Sequence, residues 1–137
     1  MKNNSSLESL RWQPFIPGIL WAIFILIVSW NVAGINLPPS LMDLVSTDKA
    51  AHFTVYAVFS GALLWGFDRN GWFPAFWKLG FLVILTCAFY GVVMEILQYY
   101  FFPGRYFEIL DIVANISGAF AGFLIYRLCR NFFNGQN

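Results

Sequence analysis

Four long apolar runs, separated by short polar breaks, organise the chain. They cover about residues 15–35, 50–67, 77–102 and 109–128. Each is close to the ~20 helical residues that cross a hydrocarbon core. The first run holds no charge and the second only His52. The third holds Lys78 at its edge and Glu95 inside, and the fourth holds Asp111 near its start. The runs are long and lack period-2 alternation, so they read as helices rather than strands. Turn chemistry fills the breaks: Asn36-Leu37-Pro38-Pro39, then Asp68-Arg69-Asn70-Gly71 with Pro74, then Pro103-Gly104. Trp12, Trp72, Trp77, Tyr99, Tyr100 and Tyr106 fall at the run ends, where aromatic belts form. The pattern predicts an all-α fold, a polytopic membrane four-helix bundle, forming a single domain over residues 1–137. The first run is longer than the apolar core of a signal peptide and is followed by no evident Ala-x-Ala site, so it is expected to remain as an anchor.

Composition strengthens that reading. Apolar residues make up 59% of the 137 and charged residues 11%, where an ordinary soluble domain carries roughly 25% charge. A soluble chain of this size needs more charge to cover its surface, and a disordered one needs far less apolar content. The net charge of +1 gives no electrostatic handle on nucleic acid. Cys87 and Cys129 make no disulfide framework and read as free thiols.

The few charges are unevenly placed. Lys2, Arg11, Arg69, Lys78, Arg127 and Arg130 fall on one predicted side of the membrane, against Lys49 and Arg105 on the other. Basic residues concentrate in cytoplasmic loops, so both the N-terminus and the C-terminus are expected in the cytoplasm. Five of the seven acids then lie toward the outer side: Asp43, Asp48, Glu95, Glu108 and Asp111.

Helical geometry gathers the outer polar residues. Asp48 and His52 are i, i+4 at the start of the second helix, and Glu95 and Gln98 are i, i+3 near the end of the third. Gly91 lies one turn below Glu95. Asp111 and Asn115 are i, i+4 in the fourth helix, and Gly118 and Gly122 continue that stripe as a smooth face for helix packing. An acid near the membrane centre costs at least ~2.5 kcal/mol. Placement at one depth, facing inward, lowers that cost through pairing and access to outside water. The stripes predict a polar pocket between the second, third and fourth helices, open to the outer surface.

Asp48-Lys49-x-x-His52-Phe53-x-x-Tyr56 resembles the first signature of the VanZ-like family of small bacterial membrane proteins. Glu95-x-x-Gln98, Pro103-Gly104-Arg105 and Asp111-x-x-x-Asn115-x-x-Gly118-Ala119-x-x-Gly122 resemble its second. The resemblance covers about residues 43–126. It implies a multi-pass protein of the bacterial inner, cytoplasmic membrane, working at the cell envelope. The family is named after an accessory protein of glycopeptide-resistance clusters linked with teicoplanin resistance. It implies no particular reaction.

Two functions are expected of such a pocket. In the first, it processes a lipid or a lipid-linked cell-wall intermediate. Asp48 would orient His52 as general acid or base, and Glu95, partly withdrawn from water, is the expected proton partner. Arg105 would hold an anionic headgroup through its guanidinium fork, with Lys49, Gln98, Asp111 and Asn115 as further ligand-binding groups. Ser60 and Cys87 lie too deep to act as nucleophiles, so hydrolysis would use water. In the second, the pocket is a non-catalytic binding or accessory module for a membrane lipid or a fatty-tailed antibiotic. A metal-dependent hydrolase is an alternative, since Asp48, His52, Glu95 and Asp111 offer one nitrogen and three carboxylates. Structural zinc favours more Cys and His, so no metal and no cofactor is expected from the sequence. A homo-oligomer is compatible with the pattern, and nucleic acid is not expected as a partner.

Overall fold

A computed structural model describes residues 12–34, 49–71, 75–101 and 106–134. They form four long helices: α1 (Ile16–Gly34), α2 (Lys49–Asn70), α3 (Phe76–Phe101) and α4 (Ile109–Asn134). A 3-10 turn over Gln13–Phe15 leads into α1. Pro14 and Pro17 sit where a helix begins and the missing N–H costs nothing. All four helices are long and apolar enough to cross a membrane, and no strand occurs among the described residues. Helices satisfy their own backbone groups, which is what lipid demands. Thr54 and Thr86 obey the same demand by donating to carbonyls one turn back, Ala50 at 2.7 Å and Leu82 at 2.9 Å.

The closest seam of the bundle joins α2 and α4. Two glycines make it possible. A Cβ built on Gly118 or Gly122 would run into the backbone carbonyl of Phe53 or Ala57. The stripe thus lets α4 lie backbone to backbone on α2. Further along, Phe123 fills the space above Gly80 and stacks on Phe76 at 5.5 Å. Leu64, Val83, Cys87 and Ala119 are fully enclosed around it.

Among the described residues, helix α1 packs on α2 and α3 but not on α4. Two long-range hydrogen bonds hold it. Trp21 Nε1 donates to the Val55 carbonyl at 2.9 Å, and Tyr90 Oη donates to the Ala22 carbonyl at 2.8 Å. Phe81, Phe89, Tyr100 and Ile109 point outward, an apolar exterior that suits lipid. These features make the chain a multi-pass membrane protein.

Two helix ends differ from the sequence expectation. Helix α2 continues through Asp68-Arg69-Asn70, which the turn residues marked as a break, and ends at Gly71 with φ 62°. A glycine in the left-handed conformation is a common helix stop, and the amide of Gly71 bonds the Asp68 carbonyl at 3.1 Å. Helix α4 runs to Asn134 rather than about 128. Both extensions are held by each other. Arg130 Nε donates to Asp68 Oδ2 at 2.8 Å, and Tyr126 Oη donates to the same oxygen at 3.2 Å. Arg127 lies 4.0 Å from the Trp77 ring centroid and Arg130 4.9 Å from that of Phe76. Apolar length alone stops where the charges begin, whereas the helices continue as long as those charges have partners.

Candidate functional site

The opposite end of the bundle holds the start of α2, the last turns of α3 and the start of α4. Lys49 is the first residue of α2, and its ammonium donates to Glu108 Oε2 at 3.2 Å and Asp111 Oδ1 at 3.1 Å. One cation thus ties the entry of α4 to the entry of α2 and fixes one oxygen of Asp111. The other oxygen, Oδ2, lies 3.9 Å from His52 Nε2.

His52 is one turn below Lys49 on α2. Its Nδ1 donates to Asn115 Oδ1 at 3.1 Å, because an amide oxygen only accepts. Asn115 is 1% exposed, so this acceptor is fixed inside the bundle. The bond sets the imidazole's orientation and leaves Nε2 turned toward Asp111. On α3, Glu95 and Gln98 are both buried, at 3% and 7% exposure. One atom from each of His52, Glu95 and Asp111 lies within 4.8 Å of the others. The three helices therefore deliver a nitrogen and two carboxylates to one point.

Gly91 completes the arrangement. A Cβ there would stand 2.9 Å from Asn115 Nδ2 and 3.4 Å from Tyr56 Oη. The bare backbone of α3 leaves room for Asn115 to reach His52. Tyr56, one turn below His52, is 2% exposed, and its hydroxyl has no hydrogen-bond partner among the described residues. Ser60, one turn further, has a buried hydroxyl that likewise has no hydrogen-bond partner among the described residues. Exposure falls from Lys49 and Glu108, whose side chains are 39% and 47% accessible, to Asp111 at 10%, and nearly to nothing at Asn115. The cluster is a gradient running inward from the bundle end.

Among the site residues drawn from the sequence, the structure brings Lys49, His52, Glu95, Asp111 and Asn115 into one neighbourhood. Gln98 is buried one turn above Glu95 on α3. Asp48 and Arg105 lie outside the described residues. The sequence paired His52 with Asp48, its neighbour in the same helix. Asp48 being outside the described residues, the partners seen for His52 are Asn115 and Asp111 of α4, which packs directly over that face of α2. Two members had no role in the sequence reading. Tyr56 is found by extending the His52 stripe by four residues. The contact of Glu108 with Lys49 has no local signal, since the pair are 59 residues apart.

No curated protein and no solved structure matches the chain. A model of the VanZ/LLP1 family matches residues 4–130, nearly the full length. The matched stretch takes in α1, α2 and α3, α4 as far as Arg130, and every residue of the cluster. The chain belongs to the VanZ/LLP1 family.

Proposed function

We propose that the cluster around His52 binds or processes the polar headgroup of a lipid-linked or lipophilic ligand of the bacterial cell envelope. The observation that carries this reading is the convergence of Lys49, His52, Glu95, Asp111 and Asn115 at one end of an otherwise apolar bundle. Polar side chains in a membrane domain are costly, so such a gathering marks a functional site by default. Lys49 offers a cation to an anionic group, and Arg105, in the following connection, supplies a second. Lipid chains of the same ligand would lie along the apolar exterior beside the site.

The cluster faces the outer side of the cytoplasmic membrane, with both termini in the cytoplasm. Arg69, Lys78, Arg127 and Arg130 all belong to the far end of the bundle, while Lys49 alone is described at the site end. That asymmetry supports the orientation. His52 Nε2, 3.9 Å from Asp111 Oδ2, is the atom that would exchange a proton with a ligand. A fatty-tailed glycopeptide of the teicoplanin type fits the same chemistry, which makes a part in resistance to it a further expectation.

Variants His52→Ala, Glu95→Gln and Arg105→Ala, brought to equal membrane levels, test the reading. Catalysis predicts that the first two lose the envelope phenotype while bound lipid persists. A binding role predicts that lipid and phenotype are lost together. If all three behave as wild type in both measurements, the cluster has no part in function.

A further inference from the structure

The donor set at the cluster has a second use. His52, Glu95 and Asp111 come from three different helices, yet one donor atom of each lies within 4.8 Å of the other two. Donors around a tetrahedral ion at about 2.0–2.2 Å stand about 3.3–3.6 Å apart, so a modest tightening would close the set on an ion. We infer that His52 Nε2, Glu95 and Asp111 Oδ2 form a three-ligand site for a divalent transition-metal ion.

Three features of the surroundings argue for it. The first is the state of the imidazole. Asn115 accepts the Nδ1 proton, so in the neutral ring Nε2 carries the lone pair, and Nε2 is the atom facing Asp111. A metal-ligating histidine normally has its other nitrogen tied in this way. The second is Asp111, whose Oδ1 is held by Lys49 while Oδ2 faces the imidazole. Ligating carboxylates are themselves usually anchored through the remaining oxygen. The third is independent of the donors. Tyr56 Oη and Asn115 Nδ2 both lie close to the bare backbone of Gly91, and this hydroxyl, buried one turn below His52, has no hydrogen-bond partner among the described residues. A water or ligand oxygen on the ion would give it one.

One nitrogen and two oxygens suit ions of intermediate softness, Zn2+ or Mn2+, better than a thiolate-selecting ion. Three protein ligands leave a position open to water or to a ligand oxygen, as in catalytic rather than structural sites.

The inference goes beyond the headgroup reading and does not depend on it, since an ion can be held whether or not a lipid joins it. The test uses the full chain without an affinity tag, purified in detergent and stripped with chelator. Titrated with Zn2+ or Mn2+, it is expected to take up one ion per chain saturably. Asn115→Ala should weaken uptake by about 10–100-fold. His52→Ala and Glu95→Gln should abolish it. A second readout needs no variant. The chain has a single histidine, so pulsed electron paramagnetic resonance of bound Mn2+ should show one imidazole nitrogen coupling. Absence of saturable uptake of either ion, uptake unchanged in the His52→Ala, Glu95→Gln double variant, or bound Mn2+ without nitrogen coupling would each overturn the site. Bound lipid enters none of these readouts, so a failure here is distinct from a failure of the headgroup reading.

Discussion

His52 Nδ1 donates to Asn115 Oδ1 at 3.1 Å, across a seam that joins residues 63 positions apart. This bond fixes which way the only histidine of the chain faces. Asn115→Leu removes the acceptor and leaves a partly buried N–H without one. The expected loss of stability is about 1–3 kcal/mol, read by reversible unfolding in mixed micelles. Asn115→Asp keeps an acceptor and should lose less. Equal losses for the two would mean that the hydrogen bond does not hold His52.

The α2–α4 seam depends on bare backbone. Gly118→Ala and Gly122→Ala put a methyl group against the carbonyls of Phe53 and Ala57, which cannot yield without moving a helix. Each should cost about 1–3 kcal/mol as an overpacked contact. Gly61 has nothing within 4 Å of its missing Cβ, so Gly61→Ala is the matched control and should change stability by no more than about 0.5 kcal/mol. A seam indifferent to Gly118→Ala would contradict the packing described.

Gly91 serves the site in another way. Gly91→Ala crowds Asn115 Nδ2 and Tyr56 Oη rather than a backbone. Side chains can shift, so the variant should fold with a smaller stability loss than Gly118→Ala. It should still impair ligand binding, because Asn115 is pushed from its place beside His52. Binding equal to wild type would separate Gly91 from the site.

The far end of the bundle should be separable from the site. Asp68 and Arg130 pair at 2.8 Å with side chains 23% and 37% exposed, and Tyr126 shares the same oxygen. Partial exposure screens such a pair, so a double-mutant cycle of Asp68→Asn and Arg130→Gln should give a coupling of about 0.5–1 kcal/mol. Ligand retention should be unchanged in both variants. Loss of ligand without loss of folding would tie the two ends together and contradict this division.

Orientation has its own measurement. In a Cys129→Ser background, where Cys87 is fully buried, single cysteines are placed at Asn36, Glu108 and Asn70. An impermeant thiol reagent added to intact cells should label the first two and not the third. The reverse pattern would turn the site toward the cytoplasm.

Much of the fold is written in local patterns. Apolar length predicts four spans, and the structure has four helices in those places. A hydropathy count stops short of the ends of α2 and α4 because Asp68, Arg69, Arg127 and Arg130 look like the edge of a span. Their partners lie across the bundle, where no local window reaches. The site follows the same logic. Helical spacing places Asp111 with Asn115 and Glu95 with Gly91, since both pairs are neighbours along one helix. It cannot say that Asn115 reaches His52 or that Lys49 reaches Glu108, because those contacts depend on how α4 lies on α2.

The central claim is that the polar end of this bundle holds a headgroup. Native mass spectrometry of the full chain, released from bacterial membranes in mild detergent, tests it most directly. The wild type should retain a specific lipid or lipid-linked species that the His52→Ala and Lys49→Ala variants have lost, all three being equally folded. If wild type and variants carry the same set of lipids in the same amounts, the cluster binds none of them and the account is wrong.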